Sequence, residues 1–189
     1  MDETLLSAPE RDRLESIRHP RTRLHFVLGR VALRSLLADR LGIRPEDVPL
    51  IMAPGGGIDL AGGLLHVSIA HAGEQAVAVA APRAIGVDLE QVQARSPGVV
   101  DFMLHTDERA AYDALPLDPV RRLILYWTLK ESVLKAMRTG LRRSPKAVRL
   151  VVSVPEGCGQ AVVEGQQTFE LWFQERDGYC LSVAYKGLA

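Results

Sequence analysis

Ile85-Gly86-Val87-Asp88-Leu89-Glu90 (IGVDLE) has the apolar density of a buried β-strand, yet it carries two carboxylates. Successive strand residues point to opposite faces, so Asp88 and Glu90 share one face while Ile85, Val87 and Leu89 share the other. Two like charges on one face of a core strand are unfavourable unless something positive meets them. Read alone, the pair also fits the exposed face of an edge strand. The rest of the chain decides between the two.

A chain of 189 residues suits one domain, or two small fused halves, with enough length to bury a core. Hydrophobic residues make up 47% and charged residues 24%, and 23 Lys+Arg balance 23 Asp+Glu. No basic field therefore points to nucleic acid or to an anionic membrane. Lysine occurs only at Lys130, Lys135, Lys146 and Lys186, so the other 19 basic residues are Arg. Cys158 and Cys180 match no metal or redox spacing and read as buried strand cysteines. The N-terminus, MDETLLSAPERDRLE, is acidic without an apolar signal core, and no run reaches membrane-span length. The expected location is the cytoplasm, with reduced thiols.

The pattern predicts a short helix over 8–17 and a long one over 21–41 that stops at Gly42. The long helix is apolar over much of its circumference, apart from a stripe of Arg23, Arg30 and Arg34. Residues 53–57 (APGGG) and 61–63 (AGG) read as turns, and strands are expected at 64–70, 75–81 and 84–92. QARSPG (93–98) interrupts the pattern, and a short helix begins near Thr106 as N-cap. Asp118-Pro119 opens a further long helix that runs to Gly140. Four strands follow, at 147–154, 160–164, 168–174 and 178–185, with Asp177-Gly178 as a turn. The order is helix then antiparallel strands, twice over, which predicts an α+β fold of two similar halves, 1–84 and 85–189.

On the second long helix Glu131 and Lys135 are four residues apart on one face, with Trp127 one turn earlier. An isolated pair of this kind is ordinarily a solvated salt bridge. With Asp88 and Glu90 it makes three carboxylates and, with Lys130, two lysines. Three oxygen donors with open positions are what Mg²⁺ takes when it completes its shell with water and substrate phosphate. Lysines beside them suit a polyphosphate. His66 to His71 (HVSIAH) closes a strand, where a histidine is usually a hydrogen-bonded core residue. The nearby Arg stripe makes an anion-binding role attractive. Gly55, Gly56 and Gly57 permit close backbone approach, without Walker-loop spacing.

IGVDLE followed after some forty residues by WTLKESVLKA resembles the paired signature of the 4'-phosphopantetheinyl transferases, (I/V)-G-(I/V)-D-x-E and W-(S/T/A)-x-K-E-(A/S)-x-x-K. Gly86, Asp88 and Glu90, then Trp127, Lys130, Glu131, Ser132 and Lys135, supply it. HVSIAH and the Arg-rich first helices resemble other blocks of the family, so the similarity spans roughly residues 7–145. The first signature stands mid-chain, as in the longer surfactin-synthetase-activating (Sfp) type, and not near the N-terminus as in the short trimeric synthases. The resemblance implies that family's fold: two pseudo-symmetric halves, each a long helix packed on an antiparallel sheet, in a monomer with coenzyme A between them.

It also implies a function. Phosphopantetheine would pass from coenzyme A to a serine of an apo acyl, polyketide or peptidyl carrier protein, releasing 3',5'-ADP, with no nucleic-acid or membrane partner. Asp88, Glu90 and Glu131 would hold Mg²⁺, with Mn²⁺ as the alternative. Lys135 would stabilise phosphate charge. Glu131, or a metal-bound water that it orients, would take the serine proton. Lys130 would assist with phosphate or hold the carboxylates. His71 and Arg13 match contacts to the 3'-phosphate of coenzyme A, and Ser68 and residues 54–57 match its nucleotide-contacting segments. Glu108 matches a recurrent family glutamate.

Three departures stand out. Gly55-Gly56-Gly57 replaces a common Gly-Lys-Pro, Ala70 replaces a frequent Ser before His71, and the first helix is not preceded by a strand. A descendant without activity that binds coenzyme A or a carrier protein, and a different Mg²⁺ enzyme acting on a nucleotide pyrophosphate, such as a hydrolase, are the competing readings.

Overall fold

The computed structural model describes residues 2–53, 57–96, 98–164 and 167–187. The chain divides into two compact units, Met1–Arg83 and Ala84–Ala189, each mixing helix with antiparallel strands.

In the first unit α1 (Ala8–Ser16) opens with Pro9 in its first turn and with Ser7 N–H donating to Glu10 Oε2 at 3.1 Å. Helix α2 (Pro20–Leu41) ends as the sequence predicts. Gly42 adopts φ 67° and its N–H reaches Ala38 O at 2.9 Å. Strand β1 (Leu50–Met52) pairs with β2 (Ile58–Leu60), and β3 (His66–Ala72) pairs with β4 (Gln75–Ala81). The three-residue strands β1 and β2 fall where the sequence reads as loop, because so short a run shows no alternation. Helix α2 packs on β3 and β4, burying Leu33, Leu37 and Ala38 with Val48, Leu60 and Val67.

The arginine stripe of α2 does not stand open. Arg34 is 1% exposed and donates to Glu10 Oε2 at 2.5 Å, while Arg30 lies 3.4 Å from the same carboxylate. Arg23 donates to Leu14 O at 2.9 Å. The stripe joins α2 to α1, because Glu10 supplies the counter-charge that a helical wheel cannot show.

The second unit begins with β5 (Ile85–Gln91). Helix α3 (Gly98–Met103) begins at the last residue of the 93–98 break and fills a stretch for which the sequence predicts no element. A 3-10 turn over Thr106–Glu108 leads into α4 (Arg109–Asp113), with His105, not Thr106, at the N-cap. Helix α5 (Pro119–Ala136) is capped as expected, Asp118 Oδ1 accepting Val120 N–H and Arg121 N–H at 3.0 and 3.1 Å. It stops four residues short of Gly140, with Arg138 turned to φ 58°.

Strands β6 (Val148–Ser153), β7 (Cys158–Val163), β8 (Gln167–Arg176) and β9 (Tyr179–Lys186) complete one antiparallel sheet in the order β5-β9-β8-β7-β6. Asp177 and Gly178, at φ 52° and 77°, make the two-residue turn between β8 and β9. Helix α5 lies on this sheet, and Ile124, Leu129, Val133 and Leu134 pack against Val148, Leu150, Phe169 and Leu171. Cys180 is buried as expected, but Cys158 is exposed: it sits on the sheet face that α5 leaves uncovered. No described helix is long and apolar enough to cross a membrane.

Candidate active site

The question raised by IGVDLE is answered by α5. The face of β5 that carries Gly86, Asp88 and Glu90 aligns with Ala184, Ser182 and Cys180 of β9, and this is the side on which the helix lies. The approach is backbone to backbone. A Cβ on Gly86 would overlap the carbonyl oxygen of Ser132 and the amide nitrogen of Ala136. Only glycine permits it, and it brings the carboxylates of β5 up to the charged positions of α5.

Asp88 is 6% exposed, and its Oδ1 accepts Lys135 Nζ at 2.8 Å. Its Oδ2 is buried with no hydrogen-bond partner among the described residues, as is Glu131 Oε1. Glu90 is engaged differently. Its Oε1 accepts Trp127 Nε1–H at 3.0 Å and its Oε2 pairs with Arg95. The expected Glu131–Lys135–Trp127 face thus meets the carboxylate face of β5, and Arg95 joins it. Nothing in the sequence marks Arg95 except a positive charge five residues beyond Glu90.

Burial pushes the Asp88 carboxyl up to about 7, against the downward pull of Lys135, and the charges of Glu90 and Glu131 add to the rise. Burial likewise raises the Glu131 carboxyl, with Lys135 opposing and Glu90 reinforcing. An acid raised in the folded state binds its proton more tightly there than in the unfolded chain. The stability it contributes is complete below the unfolded value of 3.8 and is lost as pH climbs through about 7. Metal-free protein should therefore lose of the order of 4 kcal/mol of unfolding free energy between pH 4 and 7.5 from this group. Asp88→Asn should flatten that slope, as read by urea unfolding at a series of pH values. An undiminished slope would remove Asp88 as its source.

Two orphaned, buried carboxylate oxygens held by a strand and a helix want a cation, and an all-oxygen donor set suits Mg²⁺. Asp88 and Glu131 fit that requirement. With Glu90 bonded to Trp127 and Arg95, the three carboxylates do not close into a ligand cage. Among the described residues no group of three His, Cys, Asp or Glu could hold a metal as it stands.

The expectation for Lys130 as a coenzyme A contact needs correction. Lys130 is fully buried, and its Nζ donates to Glu108 Oε2 at 2.7 Å, to Pro145 O at 3.2 Å and to Val148 O. Three acceptors satisfy the three N–H bonds of an ammonium, leaving none for a ligand. Its neighbour Glu131 points elsewhere, since adjacent helix residues are about 100° apart.

The residues expected to meet the nucleotide lie in the first unit. Arg13 is exposed on α1, with Nη1 3.3 Å from Ser16 Oγ. Ser68 and His71 lie on β3, opposite Val79 and Ala76 of β4. His71 is exposed and stacks on His25 with ring centroids 4.2 Å apart, and His25 Nε2 lies 3.0 Å from Gly73 O. Gly57 is exposed and its carbonyl accepts Ala53 N–H at 2.8 Å, whereas Gly55 and Gly56 lie outside the described residues.

Comparison with known proteins bears on this arrangement. A curated phosphopantetheinyl transferase of Thraustochytrium sp. is 26% identical over 95% of this chain and 69% of its own length. Among solved structures, the holo-[acyl-carrier-protein] synthase of Thermotoga maritima matches with TM-score 0.47 at 17% identity, over 56% of this chain and 64% of that one. The Helicobacter pylori synthase, solved in complex with coenzyme A, matches with TM-score 0.44 at 18% identity, over 55% and 99%. The profile described as the 4'-phosphopantetheinyl transferase superfamily matches residues 84–184, from the first residue of the second unit into its last strand. That span takes in IGVDLE, Arg95, Trp127, Glu131 and Lys135 and exceeds half of the chain, and on it the chain belongs to the 4'-phosphopantetheinyl transferase superfamily.

Proposed function

We propose that this protein transfers the 4'-phosphopantetheine group of coenzyme A to a serine of an apo acyl, polyketide or peptidyl carrier protein, giving the holo carrier and 3',5'-ADP. The observation that carries this reading is Asp88 bonded to Lys135 and within reach of the charge of Glu131, each carboxylate keeping a buried oxygen with no hydrogen bond among the described residues. Membership in the superfamily and the Thraustochytrium relative support it. The surfactin-synthetase-activating type is the reading for the subfamily, because a whole helix-and-strand unit precedes the first signature. Residues 1–84 would take the nucleotide end of coenzyme A, and 85–189 would hold the reacting pyrophosphate. We place the protein in the cytoplasm as a monomer, in keeping with two free cysteines.

The serine oxygen attacks the β-phosphorus of the pyrophosphate. A phosphorus–oxygen bond forms to serine, the bond to the bridging oxygen breaks, and 3',5'-ADP departs with that electron pair. Glu131 would take the serine proton, a role supported by burial, which makes its carboxylate a stronger base than an exposed one. Lys135 sits on Asp88 and supplies positive charge to the phosphate oxygens. Asp88, Glu131 and, once freed from Arg95, Glu90 would hold Mg²⁺ or Mn²⁺. When bound, the ion supplies neutralisation of the pyrophosphate's charge. Trp127 fixes Glu90 from the helix side.

Incubation of an apo carrier protein with coenzyme A and Mg²⁺, read by intact-mass spectrometry, tests the reading. The expected product is a carrier heavier by one phosphopantetheine. No adduct across a panel of fatty-acid, polyketide and peptide carriers would end it. Free phosphopantetheine formed without a carrier would point to the hydrolase instead, and tight coenzyme A binding without turnover to a binding protein.

A further inference from the structure

The Lys130–Glu108 pair does more than fill a charge into the core. Lys130 reaches Glu108, Pro145 O and Val148 O, while Glu108 accepts His105 N–H at 3.0 Å and Leu150 N–H at 2.9 Å. One ion pair thus ties α5 to the turn before α4 and to the entry into β6.

The first unit contains the same device built from other residues. Arg34 of α2 donates to Glu10 Oε2, to Pro45 O at 2.6 Å and to Val48 O at 3.0 Å, and Glu10 Oε2 accepts Ser7 N–H. In each unit a glutamate at the start of a short helix bonds a backbone N–H three residues earlier and meets a buried cation of the long helix. That cation also takes the carbonyls of a proline and of the valine three residues on. Counted from the cation, Ser35 stands where the second unit has Glu131, and Asp39 where it has Lys135. The brace recurs where the chemistry does not, so it belongs to the scaffold that holds a long helix at a set rotation.

In the second unit that rotation aims Glu131. Its Oε1 has no hydrogen bond among the described residues, so the position of the helix backbone is what sets where this oxygen can reach. Helix α5 is gripped at Ser132 and Ala136 by the close contact with Gly86, and at Lys130 by the brace. A turn of roughly 10° about the helix axis moves a carboxylate by about 1 Å.

We propose that Lys130, through Glu108, is a positioning residue that sets the rotation of α5 and so the aim of Glu131, a role that rests on the transferase reading above. Lys130→Arg keeps the cation and copies the donor that the first unit uses. Lys130→Met combined with Glu108→Gln removes both charges, so that neither is left buried alone. Both proteins are expected to melt cooperatively. Lys130→Arg should hold kcat within about 5-fold of the parent, while the double variant loses about 100-fold with KM and calorimetric Kd for coenzyme A unchanged within about 2-fold.

Parental kcat in the folded double variant would overturn the proposal. So would a loss of coenzyme A affinity matching the loss in kcat, which would make Lys130 a ligand contact. Should the double variant not fold, Lys130→Arg decides: a folded protein with more than about 5-fold loss in kcat refutes the brace. A parent protein that modifies no carrier would instead refute the transferase reading, an outcome distinct from either.

Discussion

Glu131→Gln is expected to lower kcat for carrier modification by roughly 10³-fold and to leave the protein at least as stable as the parent. The two halves of that expectation share one cause. The Glu131 carboxylate is held among buried groups with Oε1 unpartnered, and burial raises its proton affinity. Burial of this charge opposes folding more than Lys135 offsets it, so a neutral amide of the same shape should relieve the second unit. The same substitution removes the base for the serine proton and one donor to the proposed cation. Loss of turnover with a thermal midpoint equal to or above the parent's, measured at pH 8, would mark Glu131 as functional. A fall in midpoint with kcat retained would mean that the carboxylate serves the fold.

The second large effect is on stability. Gly86→Ala should lower the unfolding free energy by at least about 3 kcal/mol, because the added methyl meets backbone atoms of Ser132 and Ala136 that no rotamer change can withdraw. The strand must lift from the helix or the helix must shift along it. Either movement separates Asp88 from Lys135 and Glu131, so activity should fall further than the folded fraction explains. Denaturant midpoints and kcat per folded molecule separate the two losses. An alanine variant with a parental midpoint would show that β5 and α5 stand further apart in solution.

Much of this site is legible in the sequence because its physics is local. Alternation puts Asp88 and Glu90 on one face of a strand, and the four-residue spacing puts Glu131 beside Lys135 on a helix. Gly42, Asp118 and Asp177-Gly178 announce their caps and turn for equally local reasons. What the sequence hides depends on partners far along the chain. Lys130 and Glu131 are neighbours with opposite fates, and only the placement of Glu108, 22 residues earlier, makes the lysine a buried strut. Arg34 resembles an anion-binding arginine until Glu10 is seen beside it. The capping-box position of Glu10 is the one signal that could have suggested the pairing. The strands β1 and β2 were hidden for want of length, and α3 for want of a periodic face.

The bonds to Leu150 N–H and Val148 O have a bearing on solubility. Among the described residues strand β6 has a neighbouring strand only on its β7 side, and its other flank is where a second chain could extend the sheet by adding a strand of its own. Glu108 occupies a donor on that flank and Lys130 an acceptor, so one ion pair closes both groups to an incoming strand. Chains stripped of it at high concentration would be at risk of aggregating through β6, a failure that dilution, and not added ligand, would reverse.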